Sequence, residues 1–84
     1  MSKYEVETFF PMKGDWKSRE EKVFHVADDF DASLSHSSTE FGERITSFIV
    51  NSKHRAHEFI RSLAHCGVDA RMSRVDSYET VQEE

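Results

Sequence analysis

The chain has 84 residues and a mass of 9.8 kDa, with 37% hydrophobic, 32% charged and 12% aromatic residues, which suits one small domain. Its longest apolar run is only Phe48–Val50, whereas a membrane span needs about 20 apolar residues and a secretory signal at least about 7. The composition therefore predicts a soluble protein with a thin core, and it disfavours an enzyme with a deep substrate cavity.

Cysteine usage predicts the compartment. Cys66 is the single cysteine, so no disulfide can form within the chain. A small chain without a cysteine framework is typical of a reducing environment. We therefore expect a cytoplasmic protein.

The first strand and the first helix are predicted from two different apolar periods. Residues 3–10 alternate with a period of two, which is typical of a strand with one buried face. A helix is expected after Asp15, a candidate N-cap, because apolar residues then recur at helical spacing. A strand over residues 20–27 is the alternative, since Phe24 and Val26 alternate with their neighbours. The expected inward positions are Tyr4, Val6, Thr8 and Phe10 in the strand and Trp16, Val23, Ala27 and Phe30 in the helix.

Two further strands are predicted in the middle of the chain. Ala32, Leu34 and His36 alternate with serines, and Arg44–Asn51 is the most β-prone run of the chain. A polar connection over Ser38–Glu43 separates the two runs. We therefore expect a hairpin with a short loop.

The clearest helix is predicted over Lys53–Cys66. Ser52 is a candidate N-cap, and Gly67 stands where a C-cap residue belongs. A final strand then runs from Val68 to Val75 or Tyr78, because apolar and polar residues alternate there. The apolar face of the helix consists of Ala56, Phe59, Ile60, Leu63 and Ala64.

The predicted order of elements is strand, helix, strand, strand, helix, strand. With right-handed crossovers, this order gives a four-stranded antiparallel sheet with both helices on one face. The architecture resembles the ferredoxin-like fold, an α+β two-layer sandwich that serves enzymes, nucleic-acid binders and structural modules alike. We expect one compact domain over residues 1–78 and an acidic, frayed tail over residues 79–84. The expected core combines Phe59, Ile60 and Leu63 with Val6, Ile49 and Ala70.

Charge is distributed unevenly around the net value of −5. Residues 44–74 carry six basic and two acidic side chains, whereas residues 1–43 carry five basic and ten acidic ones. The basic segment either balances acidic surfaces within the domain or binds an anionic partner. An aromatic side chain on the sheet face away from the helices is a second kind of candidate contact. The candidate partner-binding residues are Lys53, Arg55, Arg61, Arg71 and Arg74 from the basic segment and Phe9 from the sheet.

No residue pattern in the chain predicts catalysis, a metal site or a cofactor. His54 and His57 are three residues apart on the predicted helix, but they form at most half of a metal site that needs His25 or His36 to complete it. Cys66 is expected at a helix C-terminus, where the helix dipole opposes a reactive thiolate. A small, partly buried apolar role is therefore favoured for this cysteine.

RNA or DNA is the alternative partner. The RNA-recognition motif has the same order of elements and binds bases with aromatic side chains on its central strands. The corresponding predicted strand, Glu43–Val50, lacks the glycine and the paired aromatics of that motif. Nucleic-acid binding would therefore depend on the basic second helix.

The function expected from these features is that of a small non-catalytic protein-interaction module, which binds another protein or a second copy of itself. Its size and acidity are similar to those of many phage and mobile-element accessory proteins that act as inhibitors. Aromatic residues left outside the core would act as interface anchors. The expected contact is the sheet face away from the helices or an edge strand, and no membrane partner is expected.

Overall fold

The computed structural model describes residues 3–75. The elements are β1 (Tyr4–Pro11), α1 (Trp16–Asp29), β2 (Ser33–Glu40), β3 (Glu43–Val50), α2 (Lys53–His65) and β4 (Asp69–Arg74). The expected order is confirmed, and the segment from residue 20 to 27 is helical rather than extended. The expected tail over residues 79–84 and the extension of the last strand to Tyr78 lie outside the described residues.

The four strands form one antiparallel sheet in the order β2-β3-β1-β4. Both helices pack on one face of this sheet, as ring contacts show: Phe24 of α1 and Phe59 of α2 each contact Phe48 of β3, with ring centroids 5.8 Å and 5.4 Å apart. The two-layer, ferredoxin-like arrangement expected from the sequence is therefore confirmed. No element among residues 3–75 covers the other face of the sheet, which we call the uncovered face.

The core lies between the sheet and the helices. The inward side of β1 is as expected, with Val6, Thr8 and Phe10 fully buried. Phe59 and Leu63 of α2 are fully buried, while Ile60 and Ala70 pack at the margin of the core. The buried hydrophobic residues are Val6, Phe10, Val23, Ala27, Phe48, Val50, Ala56, Phe59, Leu63 and Val68.

The expected core position of Ile49 is wrong. Ile49 pairs with Glu5, whereas its neighbour Phe48 pairs with the buried Val6. Because successive side chains of a strand point to opposite faces, Ile49 lies on the uncovered face and remains partly exposed. Phe48 and Val50 take the core positions of β3 instead.

The hairpin between β2 and β3 is tighter than expected. The connection predicted over Ser38–Glu43 is a two-residue turn of Phe41 and Gly42, because β2 continues to Glu40. A register shift, or β-bulge, falls between Leu34 and His36. Since a bulge inserts one extra residue into a strand, the expected alternation of Ala32, Leu34 and His36 on one face does not hold.

The ends of the two helices differ. At α2 the expected N-cap is confirmed, because the Ser52 Oγ accepts a hydrogen bond from the backbone N–H of Arg55 at 3.3 Å. At α1 the Asp15 side chain makes no capping hydrogen bond. After α2 the chain turns at Gly67, whose φ of +77° suits a residue without a Cβ.

One polar contact fixes α1 over the sheet. The guanidinium of Arg44, on β3, donates a hydrogen bond to the carboxylate of Glu20, on α1, at 2.7 Å. The same guanidinium lies 6.0 Å from the centre of the Trp16 ring and donates to hydroxyls of Ser37 and Thr39 on β2. Arg44 thus ties α1, β2 and β3 together.

Candidate functional site

A groove with an apolar floor and a polar rim runs between α1 and β2. It has a volume of about 350 Å³. Phe24 of α1 is 38% exposed in it and Leu34 of β2 is 54% exposed. The residues that line it are Glu21, Phe24, His25, Ala27, Asp28, Ala32, Leu34 and Phe48.

The floor and rim of this groove differ in chemistry. The floor is formed by apolar side chains, among which Phe48 belongs to the buried core. The rim on α1 carries the exposed carboxylates of Glu21 and Asp28 and the imidazole of His25. Neither carboxylate forms an ion pair with another residue in the range 3–75. The groove therefore offers an apolar surface beside negative charge.

The strand that borders the groove is a free edge. β2 is the first strand of the sheet order, and within the described part of the chain no strand pairs with its outer side. Seven of its eight residues are exposed. It contains no lysine, arginine or proline, which are the residues that proteins commonly place on edge strands to prevent further pairing.

The opposite edge of the sheet is protected in the usual way. β4 has six residues, against eight in β2. It carries the charged side chains of Asp69, Arg71 and Arg74. Short length and charge both hinder strand pairing. β2 has one protective feature, the bulge between Leu34 and His36, but its greater length and single charged residue make it the more receptive of the two edges.

The uncovered face of the sheet holds Phe9, one of the predicted partner-binding residues. The Arg71 guanidinium lies 5.2 Å from the centre of the Phe9 ring and its Nε is 3.5 Å from the carboxylate of Glu7. At the centre of this face Ser47 is fully buried, and its hydroxyl has no hydrogen-bond partner among the described residues. Phe9 is therefore already partly covered by an arginine of its own sheet.

The predicted basic residues divide between two surfaces. Lys53, Arg55 and Arg61 are exposed on α2, where Arg55 forms an ion pair with Asp31 at 2.9 Å. Arg71 does not lie beside them, because it is on the uncovered face, across the sheet from α2. Arg74 pairs in register with Tyr4, which packs against the core, so it lies on the helix side of the sheet edge.

The candidate metal and thiol groups do not assemble into a site. Within residues 3–75 there is no group of three histidine, cysteine, aspartate or glutamate side chains placed to hold a metal ion. Cys66 follows α2 as a half-buried free thiol.

The sequence pattern did not identify three of the exposed apolar side chains, Phe24, Leu34 and Phe41. Only the position of α1 over β3 shows that Phe24 and Leu34 line one groove. Phe41 precedes Gly42 between two β-prone runs, but Phe-Gly is not one of the dipeptides that indicate a two-residue turn.

Comparison with known proteins gives no relatives: neither a family model nor a curated protein matches the chain. No helix among residues 3–75 is long and apolar enough to cross a membrane. Function is therefore inferred from the surfaces of the domain itself.

Proposed function

We propose that this protein is a non-catalytic protein-interaction module that binds an extended segment of another protein by strand addition at β2. The observation that carries the proposal is the free outer edge of β2 directly beside the groove lined by Phe24 and Leu34. A module of this kind acts as an inhibitor or accessory protein by occupying a segment that its partner needs. The single free cysteine favours the cytoplasm as its place of action.

Strand addition would use both the free edge of β2 and the groove beside it. An added strand forms backbone hydrogen bonds with the exposed edge, and these bonds supply affinity for any extended sequence. Alternate side chains of the added strand point toward the helix layer, where the groove receives them. Burial of Phe24 and Leu34 then adds specificity for apolar residues at those alternate positions.

The charge of the groove indicates the sequence of the partner segment. Glu21 and Asp28 stand at the rim without an ion-pair partner in the described part of the chain. Lysine or arginine flanking the apolar residues of the partner would pair with them, whereas acidic residues would be repelled. We therefore propose a segment in which apolar and basic residues alternate along the positions that face the helix layer, which are every second residue of the added strand.

A synthetic peptide of eight residues, the length of β2, tests the proposal. At its helix-facing positions, which are every second residue, lysine alternates with leucine and valine, and uncharged polar residues occupy the other positions. Its binding to the full chain is measured by fluorescence anisotropy at physiological salt. We expect saturable binding, and we expect an acidic peptide with the same apolar residues to bind at least about tenfold more weakly. A third peptide, N-methylated at alternate residues, cannot donate the backbone hydrogen bonds and should also lose about tenfold.

A matched pair of variants locates the contact. Leu34→Lys places a charge in the groove and should weaken peptide binding by about tenfold or more. Ser73→Lys places the same side chain on the exposed opposite edge and should leave binding within about twofold. Equal binding of the N-methylated peptide, or equal loss in both variants, would show that attraction is only electrostatic and would overturn the proposal.

The main alternative occupant of the β2 edge is a second copy of the chain, and the oligomeric state tests it. Sedimentation of the full chain at high micromolar concentration should give a monomer. A dimer that Leu34→Lys dissociates and Ser73→Lys does not would show that the edge is occupied by a second copy. That result would replace the peptide segment by self-association as the function of β2.

The basic face of α2 supports a second candidate function, the binding of nucleic acid. Lys53 and Arg61 are exposed and form no ion pair with a residue in the range 3–75. Unpaired cations on one helix attract phosphates without sequence preference. We rank this function below strand addition because no exposed phenylalanine, tyrosine or tryptophan accompanies these cations on α2 to stack on bases.

A further inference from the structure

The turn between β2 and β3 carries an unusual residue in an unusual conformation. Its two residues, Phe41 and Gly42, have φ angles of +53° and +78°. Positive φ at both central positions is the feature of a type I′ turn, in which asparagine and glycine are strongly preferred. A phenylalanine in the left-handed region is strained, because its Cβ crowds the following carbonyl oxygen.

No contact within the described chain compensates for this strain. The relative exposure of Phe41 is 102%, the highest of the large hydrophobic residues. A side chain that is fully exposed contributes no burial to the folded state. In contrast to Phe9, which an arginine covers, Phe41 makes no ring or cation contact with another described residue.

The charges beside the turn are also unfavourable within the domain. Glu40 and Glu43 are cross-strand partners that close the turn, and like charges directly opposite each other destabilise a strand pair. Neither carboxylate forms an ion pair with a residue in the range 3–75. The tip therefore combines an exposed aromatic ring with two uncompensated negative charges.

The position of the tip is nevertheless fixed. The backbone N–H of Met12, which follows β1, donates a hydrogen bond to the Gly42 carbonyl at 2.9 Å. β3 pairs along its whole length with β1, up to Pro11 opposite Glu43. The ring of Phe41 is thus presented from a turn that the sheet holds in place, as a preorganised contact.

We propose that Phe41 is an anchor that inserts into an apolar pocket with a basic rim on a partner protein. Such a pocket buries the ring and neutralises Glu40 and Glu43 together, so one partner compensates for both the exposed ring and the like charges of the tip. Locally unfavourable residues that the fold does not explain are expected at functional sites. An anionic lipid surface is disfavoured, because the two carboxylates would be repelled by it.

This anchor goes beyond the proposed function and does not depend on it. The tip lies about seven residues along β2 from Leu34, which is roughly 23 Å in an extended strand. Apolar side chains seated in the groove and a pocket around Phe41 therefore contact different parts of the domain, and a strand added along all of β2 ends beside the tip. Phe41→Asn lies outside β2 and leaves the groove intact, so this variant lets the two proposals fail separately.

The first test is a stability measurement that needs no partner. Phe41→Asn places the preferred Asn-Gly sequence in the turn, and we expect Tm to rise by roughly 4–8 °C. Glu40→Lys converts the like-charge pair into an opposite-charge pair and should also raise Tm. An unchanged or lower Tm for Phe41→Asn would show that the phenylalanine is accommodated without strain and would overturn the proposal.

The second test identifies what the ring contacts. The full chain carrying benzoylphenylalanine at position 41 is irradiated in the native cell lysate, with the same residue at position 73 as control. We expect an adduct from position 41 only, mapped by mass spectrometry to an apolar pocket lined by lysine or arginine. Unlabelled wild-type chain should prevent the adduct, while Phe41→Asn and Glu40→Lys should not at the same concentration.

Two further results would contradict the proposal. The ring is not a specific anchor if the adducts map to acidic or flat surfaces. The same conclusion follows if the wild-type chain, Phe41→Asn and Glu40→Lys prevent the adduct equally. Cosedimentation with vesicles of phosphatidylcholine and phosphatidylglycerol should show no binding. Vesicle binding that Phe41→Asn abolishes would assign the tip to a membrane instead.

Discussion

At the scale of single residues, two threonines face each other across β1 and β3 inside the core. Thr8 and Thr46 are cross-strand partners and both are fully buried. The Thr8 hydroxyl donates to the backbone carbonyl of Thr46 at 2.8 Å. The Thr46 hydroxyl has no partner among the described residues, so its burial opposes folding.

Replacement of Thr46 by valine should therefore stabilise the domain. The change removes an unsatisfied hydroxyl and keeps the shape of the side chain, and such a group costs about 1–3 kcal/mol when buried. We expect the free energy of unfolding to increase by about 1–2 kcal/mol, measured by urea denaturation.

Thr8→Val is the matched control on the opposite strand. It removes the hydroxyl that donates a hydrogen bond, and we expect a loss of about 0.5–1.5 kcal/mol. Equal effects of the two valine substitutions would show that the Thr46 hydroxyl is satisfied in solution and would contradict the prediction.

The wrong inward position predicted for Ile49 has a physical cause. β3 carries apolar side chains on both faces, with Ile45 and Ile49 on one side and Phe48 and Val50 on the other. A period of two cannot then decide which face is buried, and only the register with β1 does so. In β1, where acidic residues alternate with apolar ones, the inward face was predicted correctly.

At the scale of elements, α2 is the helix that closes the core. Leu63 is fully buried within it and belongs to the apolar face that the sequence predicted. Leu63→Ala should lower the free energy of unfolding by about 2–4 kcal/mol, a large share for a small domain. Leu34→Ala, at a half-exposed leucine, should cost less than about 1 kcal/mol. Comparable losses would show that α2 does not dock as described.

A charge reversal on the outer face of α2 separates the two candidate functions. Lys53→Glu combined with Arg61→Glu changes two exposed cations and spares Arg55, which pairs with Asp31. We expect the affinity for the lysine-alternating peptide to stay within about twofold, because α2 does not border the groove.

The same double variant tests binding of a single-stranded RNA oligonucleotide at physiological salt. We expect the wild-type chain to bind it no better than the variant does, since the net charge of the chain is −5. RNA binding that the reversal abolishes, together with a strong salt dependence, would assign the function to α2. It would contradict strand addition at β2 as the main function.

The element order was predictable, but the connections that matter for function were not. The caps at Ser52 and Gly67 and the apolar spacing of α2 specify that helix locally. The turn at Phe41 was predicted as a longer loop, because phenylalanine is not a residue that favours positive φ. The bulge at Leu34 depends on pairing with β3, which a single strand does not encode. Phe41 and Leu34, which local sequence patterns explain least, are the residues to which we assign contacts with a partner protein.

At the scale of the whole molecule, the two edges of the sheet differ in how well they are protected against pairing with a further strand. β1 and β3 are paired on both sides, whereas β2 and β4 are edges of the described sheet. β4 is short and charged and β2 is long and mostly uncharged, so the domain presents one receptive edge. The helix layer has two regions of opposite charge, the basic outer face of α2 and the acidic rim of the groove on α1. A basic partner segment is therefore attracted to the side of the domain that carries β2.

Amide hydrogen exchange should follow this asymmetry. We expect the slowest exchange in β1 and β3, whose backbone groups are bonded on both sides, and much faster exchange in β2, where seven of eight residues are exposed. Saturation with the lysine-alternating peptide should slow exchange in β2 and leave β4 unchanged, because an added strand bonds only to the outer edge of β2. Residue-resolved exchange measured by NMR, with Leu34→Lys as the variant that does not bind, checks both expectations. Protection that appears in β4, or uniformly over the sheet, would show that the peptide stabilises the fold without adding a strand at β2.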